Sequence, residues 1–309
     1  MHIDGYLVLG SAVVGFLVGL TGTGGGALMT PMLIFLFGVS PAAAISSDLV
    51  AAVVMRPVGA AVHLRRRTVN LPMVGWLSVG SVPGAFLGAY LLHLVGGGKT
   101  AETEVEVILG AALLVGAAAM VLRAVLRRRS GEVVRTGVVV RRGPTVAVGA
   151  LGGVMVGLTS VGSGSLMIVL LLFLYPALAS SELVGTDLVQ AIPLTAAAAL
   201  GQLLFGHVEL AITASLVLGS VPAVFLGSLL SSRAPDRLVR PVVTAVIVVS
   251  GLKYVGVGDV GLAAVAAALV AGGAVWLVVR RQRARSARRG DRSTPVAAAG
   301  GPVSRSAPG

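Results

Sequence analysis

Gly19-Leu-Thr-Gly-Thr-Gly-Gly-Gly-Ala-Leu-Met29 is written a second time as Gly157-Leu-Thr-Ser-Val-Gly-Ser-Gly-Ser-Leu-Met167, identical at seven of eleven positions. Each copy lies inside an uncharged run, residues 5–47 and 143–181. Glycine costs a helix interior roughly 1 kcal/mol relative to alanine, so a glycine cluster inside a membrane-length run is where a helix breaks. In hydrocarbon, non-helical backbone persists only when buried in protein or lining a polar cavity. Two breaks at corresponding places in two halves are the sequence pointer to a transporter's substrate site.

Composition agrees with a membrane setting. The chain of 309 residues is 56% hydrophobic and 12% charged, with mean hydropathy +0.96. Runs at 71–98, 210–232 and 260–279 reach the roughly 20 apolar residues that span a bilayer. The expected class is therefore all-α integral membrane. The chain has no cysteine, which excludes disulfides, thiolate chemistry and cysteine-bearing metal sites. Aromatics are 4% of residues, too few for a surface that stacks bases or sugars. The first residues carry neither a basic n-region nor a small-residue cleavage site, so the chain from Gly5 reads as mature structure.

Taken in order, residues 5–38 form two short apolar pieces around the first glycine cluster, as in a re-entrant hairpin. Pro41 opens a segment over about 42–64 that holds Asp48 and Arg56 and ends at Arg65-Arg66-Arg67. Further segments follow at 71–94 and 107–122, and then a basic stretch at 123–142. The second half repeats this plan at an offset of 138–139 residues. Ser47-Asp48-Leu49-Val50 returns as Thr186-Asp187-Leu188-Val189, and Gly80-Ser-Val-Pro as Gly219-Ser-Val-Pro. The expected organisation is a first membrane repeat over 1–128, a basic cytoplasmic loop over 129–142 and a second repeat over 143–257. An additional transmembrane helix over 258–281 and a basic disordered tail over 282–309 complete it.

The formal charge is +12, and its placement argues for topology rather than nucleic acid. Cytoplasmic loops collect Lys and Arg. If each glycine hairpin returns to its own side and the N-terminus is outside, 21 of the 24 basic residues fall inside. The exceptions are Arg56, Lys99 and Lys253. Counting each hairpin as one crossing leaves the groups at 233–240 and 280–305 outside. The returning-hairpin arrangement makes the halves inverted repeats, a secondary-transporter plan, with seven single crossings beside the two hairpins.

The glycine turn leading into Leu-Met resembles the TauE/SafE sulfite exporter family. So do the Ser/Thr-Asp-Leu-Val segment, His63 and the Gly-Ser-Val-Pro…Phe-Leu-Gly stretch, and the likeness covers about 6–256 in both halves. The resemblance implies a multi-pass permease of the bacterial inner membrane for small sulfur-containing anions such as sulfite or organosulfonates.

The residues themselves supply candidate chemistry. A helix restarting after a glycine break aims free N–H groups and its positive dipole end at the gap, an anion site. The expected substrate-lining set is Thr21, Thr23, Gly24, Gly25 and Gly26 from the first break, with Thr159, Gly162, Ser163, Gly164 and Ser165 from the second. The plainer reading is that these glycines allow close helix packing. Arg56 lies inside a segment, where it either meets an anion with its planar fork or snorkels to the interface. Asp48 and Asp187, each following Ser or Thr near a segment start, are candidates for proton coupling and equally for N-caps. His63 and His207 read as interfacial.

No cofactor or metal is implied. The partners are a small anionic substrate and membrane lipids, with no nucleic acid, and homo-oligomerisation is left open. A passive anion channel is the competing reading. An intramembrane hydrolase built on Ser163 and His207 is remote, because the first copy has Gly25 where the second has Ser163. No phosphate-binding loop of the Gly-x-x-x-x-Gly-Lys-Ser/Thr kind is present, which argues against pumping by this chain.

Overall fold

A computed structural model describes residues 4–21, 25–65, 69–95, 101–129, 139–178, 180–206, 208–230 and 236–268. Among them the chain is helical, with no strand. The helices are α1 (Gly5–Thr21), α2 (Gly26–Phe37), α3 (Pro41–Arg65), α4 (Leu71–Val95), α5 (Ala101–Arg129), α6 (Arg142–Thr159), α7 (Leu166–Leu174), α8 (Ser180–Phe205), α9 (Leu210–Leu230) and α10 (Asp236–Tyr254). A short apolar helix, Asp259–Ala268, follows. One compact unit takes in Met1–Leu262 and a second begins at Ala263. The expected crossing at 258–281 and the tail beyond it therefore lie largely outside the described residues.

Among the described residues, five helices contain stretches long and apolar enough to cross a membrane: Pro41–Ala61, Leu71–Val95, Glu102–Leu126, Glu182–Phe205 and Leu210–Leu230. The protein is a polytopic helical membrane protein. Its polarity is arranged for lipid. Leu87, Leu203, Leu218, Phe225 and Leu229 face outward, while Asp48, Arg56, Asp187, Gln190 and Gln202 are buried. In hydrocarbon the outer surface must be apolar, and ionisable side chains turn to the bundle interior.

The glycine clusters break the helices as expected, and each pair folds back on itself. Gly10 of α1 lies against Met32 and Phe37 of α2, so the end of α2 returns to the first half of α1. In the second half, Tyr175 after α7 reaches back to the start of α6. Its hydroxyl is 2.5 Å from Thr145 Oγ1 and accepts a 2.8 Å hydrogen bond from the Arg141 backbone N–H. The two short helices of each pair, of 17 and 12 and of 18 and 9 residues, are hairpins rather than broken single crossings.

The hairpins are seated in the opposite half. α4 runs parallel to α6, and α9 runs parallel to α1, in each case backbone against backbone. A Cβ at Gly80 would overlap the Val146 carbonyl oxygen, and one at Gly219 would overlap that of Val8. Gly88 meets Val154 and Leu158 as Gly227 meets Phe16 and Leu20. Each of these pairs is related by the 138–139 offset, so the duplication holds at the level of individual contacts. Only glycine permits this approach, and close small-residue contact is what drives helix association in lipid.

The counterpart helices α3 and α8 run antiparallel. Ser46 near the start of α3 donates from Oγ to Gln202 Oε1 near the end of α8 over 2.9 Å. Two hydrogen bonds related by the offset lie at opposite ends of this pair: Glu209 N–H to Ser47 Oγ at 3.3 Å and Asn70 N–H to Thr186 Oγ1 at 3.0 Å. α5 and α10, also counterparts, pack antiparallel too, with Gly110 against Gly251 and Met120 beside Thr244.

Candidate functional site

The two glycine breaks meet in the buried interior of the bundle. α6 ends at Ser160, whose φ of 58° places it in the left-handed region. The chain then runs through Gly162 and Gly164, with φ of 126° and 84°, before α7 restarts. Those angles require glycine, since a Cβ would be strained there. The first tip packs directly on the second: a Cβ on Gly26 would collide with the backbone of Ser160. Neither restarting helix has a side-chain cap, at Gly25 for α2 or Ser165 for α7. Uncapped first-turn N–H groups and the positive dipole end are what an anion seeks at a helix N-terminus.

Asp48 lies beside this junction and is wholly buried. Its Oδ2 accepts a 2.6 Å hydrogen bond from Ser160 Oγ and a 3.4 Å contact from Thr30 Oγ1 on α2. Oδ1 has no hydrogen-bond partner. The N-cap expectation for the two aspartates is corrected here. α3 begins at Pro41 and α8 at Ser180, so Asp48 and Asp187 each sit seven residues inside a helix. Proline is preorganised for a first helical position, and the helix therefore starts earlier than the Ser-Asp pair suggests.

Arg56 does not snorkel. It is 8% exposed, and its Nε and Nη2 have no hydrogen-bond partner. Asp187 and Asp48 are the carboxylates that act on its charge. Nε and Nη2 form one edge of the guanidinium, the edge that grips two oxygens of a carboxylate or other oxyanion at once. Pro57 follows directly and lies inside α3. It supplies no N–H to the carbonyl of Val53, so the helix is weakened at the arginine.

Asp187 is buried in α8. One turn on, Gln190 is fully buried, its Nε2 donating to Ser81 Oγ over 2.6 Å while its Oε1 has no partner. Of the other expected residues, Gly25 lies against Met55 and near Asp48. Thr21 gives its hydroxyl proton to Leu17 O, and Thr159 gives its own to Met155 O while accepting from the Val161 N–H. Ser163 and Ser165 are buried in the second tip. Thr23 and Gly24 lie outside the described residues, as do His207 and the side chain of His63.

The geometry adds two residues that pattern reading passed over: Ser160 and Thr30 hold Asp48. Gln202, the offset partner of His63, joins Ser46 to the Gly157 carbonyl, which its Nε2 meets at 3.1 Å. A signal for Ser160 was present, since it is where the second copy replaces Gly22 of the first by a side chain.

Residues 7–254 match the model of the family described as Sulfite exporter TauE/SafE. The chain is also similar to a protein of Bacillus subtilis (strain 168) described as "Probable membrane transporter protein YjnA". The two are 38% identical over 252 residues, covering 81% of this chain and 98% of that protein. No solved structure matches.

Proposed function

The chain belongs to the sulfite exporter TauE/SafE family, and from that premise we propose a secondary permease that moves a small anion across the bacterial inner membrane by alternating access. The observation that carries this reading is Arg56: a buried guanidinium with its bidentate edge unpartnered, on the same helix as Asp48, which meets the hairpin junction through Ser160. Sulfite and organosulfonates fit that chemistry, as tetrahedral or pyramidal oxyanions that take several N–H donors at once.

Antiparallel packing of α3 on α8 and of α5 on α10 supports inverted repeats, with the N-terminus outside and the arginine clusters inside. A transporter reading is favoured over a channel by closure: Asp48, Asp187 and Arg56 are all buried, as in an occluded state between two openings. Asp48 and Asp187 are the proton-coupling residues of this reading.

Counterflow in proteoliposomes tests it, with labelled sulfite, a small sulfonate and sulfate, with and without a pH gradient. Saturable uptake of one anion, lost in Arg56→Ala, is the expected result. Uptake that ignores Arg56 removes the site, and no uptake of any of the three removes the sulfur assignment.

A further inference from the structure

Arg56 and Asp48 leave opposite halves of a hydrogen-bond inventory unfilled. Arg56 Nε and Nη2 are buried donors without a partner, and Asp48 Oδ1 is a buried acceptor without one. An unmade hydrogen bond on a buried charged group costs more than the bond itself contributes, so two such gaps on one helix ask for a ligand. The two residues are eight positions apart on α3, about 12 Å along the axis and less than a quarter-turn around it. Long helical side chains lean toward the N-terminus of their helix, which favours an arginine running back toward Asp48. Each charge acts on the other, yet the guanidinium edge and the carboxylate oxygen do not meet.

The surroundings of Asp48 restrict that ligand. Its two oxygens face different hairpin tips. Oδ2 is held by Ser160 of the second tip and by Thr30. Oδ1 is turned to the first, since a Cβ on Gly25 would stand 4.0 Å from it. Gly25 is the uncapped start of α2, so the positive end of that helix already has a carboxylate beside it. A bare anion set there would meet a like charge. A bare anion on Arg56 would fill the donor edge and leave Oδ1 empty. A molecule with an acceptor group at one end and a donor at the other completes both.

We propose that the substrate is a short sulfonate that carries its own hydrogen-bond donor, a hydroxyl or an ammonium, with the sulfonate on the Nε–Nη2 edge of Arg56 and the donor on Asp48 Oδ1. This rests on the reading of Arg56 as the anion-binding residue and adds Asp48 as the residue that sets specificity. A site built to hydrogen-bond a substrate group rejects the analogue that lacks it, because the buried acceptor is then left unpaired.

Three probes of matched size test this by calorimetric titration of the purified protein. Isethionate ends in a hydroxyl, taurine in an ammonium and propanesulfonate in a methyl. At least one of the first two should bind at least about tenfold more tightly than propanesulfonate, and the tighter one identifies the donor. Asp48→Ala should abolish that preference, whereas Arg56→Ala should weaken all three probes.

Should Asp48→Ala fail to fold, Gly25→Ala keeps the carboxylate and adds a methyl beside Oδ1. That methyl meets nothing closer than Met55 Cε at 3.4 Å, at an ordinary helical φ of −68°, so the fold accommodates it. It should shrink the preference as Asp48→Ala does. Equal affinities for the three probes, lost in Arg56→Ala, remove this proposal alone. A preference that survives in whichever of the two variants folds also overturns it, because the donor is then read elsewhere. Discrimination that ignores Arg56→Ala removes the reading of Arg56 on which the proposal rests, and no binding of any probe removes both.

Discussion

Ser160 Oγ lies 2.6 Å from Asp48 Oδ2 and donates to it, so the tip of the second hairpin is tied to a crossing helix of the first half. The bond joins residues 112 apart in sequence, and both partners are buried. A buried carboxylate that loses a hydrogen-bond donor bears the cost of its desolvation, about 1–3 kcal/mol and more for a charged group.

Ser160→Ala should therefore lower thermal stability in detergent, and Ser160→Thr should restore little of it, because a β-branched side chain is strained at a φ of 58°. A double-mutant cycle with Asp48→Asn is expected to give a coupling of about 1–3 kcal/mol. Additive losses would mean that the two side chains do not act together.

Arg56→Lys keeps the charge and loses the planar edge. If the Nε–Nη2 pair grips an oxyanion, the lysine variant should insert normally and bind its anion at least about tenfold more weakly, the loss of one charge-assisted hydrogen bond. Binding by scintillation proximity, with yield as the control, reads this. Equal affinity for the two variants would reduce Arg56 to a point charge.

Much of this was legible before any coordinates. The class, the two hairpins and the repeat offset follow from hydropathy, glycine clustering and self-similarity, all local properties of the string. Arg56 stood out because a charge in an apolar run is costly wherever it faces. Ser160, Thr30 and Gln202 were hidden for the opposite reason. Serine, threonine and glutamine are tolerated throughout such segments, and their roles depend on partners 18 to 156 residues away. The N-cap reading of Asp48 failed because Pro41, seven residues earlier, is the stronger helix start.

Gly162 has φ of 126°, which a β-branched side chain cannot adopt without strain. Gly162→Val should abolish transport while leaving membrane insertion intact, since the break lies outside the five long apolar helices. Wild-type rates from this variant, measured by counterflow, would sink the two-break site.

The seam between the halves makes a graded test of packing. A Cβ at Gly88 or Gly227 would meet the backbone of the facing helix, whereas one at Gly59 or Gly75 meets nothing within 4 Å. Gly88→Ala and Gly227→Ala should each destabilise by about 1–3 kcal/mol through overpacking. Gly59→Ala and Gly75→Ala should be neutral or stabilising by up to about 1 kcal/mol through helix propensity. Because Gly88 and Gly227 make offset-related contacts, their losses should be alike, and thermal unfolding of the four variants reads the contrast. A harmless Gly88→Ala would mean that the seam is looser than the structure has it.

The direction of the chain through the membrane can be settled in this cysteine-free chain. With both hairpins returning to their own sides, Val208 between α8 and α9 is outside, and Ala234 between α9 and α10 is inside. If each hairpin crossed the membrane once, the two would exchange. Val208→Cys should therefore react with an impermeant maleimide in intact cells, and Ala234→Cys only after the cells are opened. The distinction matters beyond topology. Antiparallel α3 and α8 put Asp48 and Asp187 near opposite faces of the membrane. With Val208 outside, Asp48 is the outer aspartate and Asp187 the inner one. The reverse labelling pattern would invert that assignment and move the arginine clusters to the outer face, against the charge bias of membrane insertion.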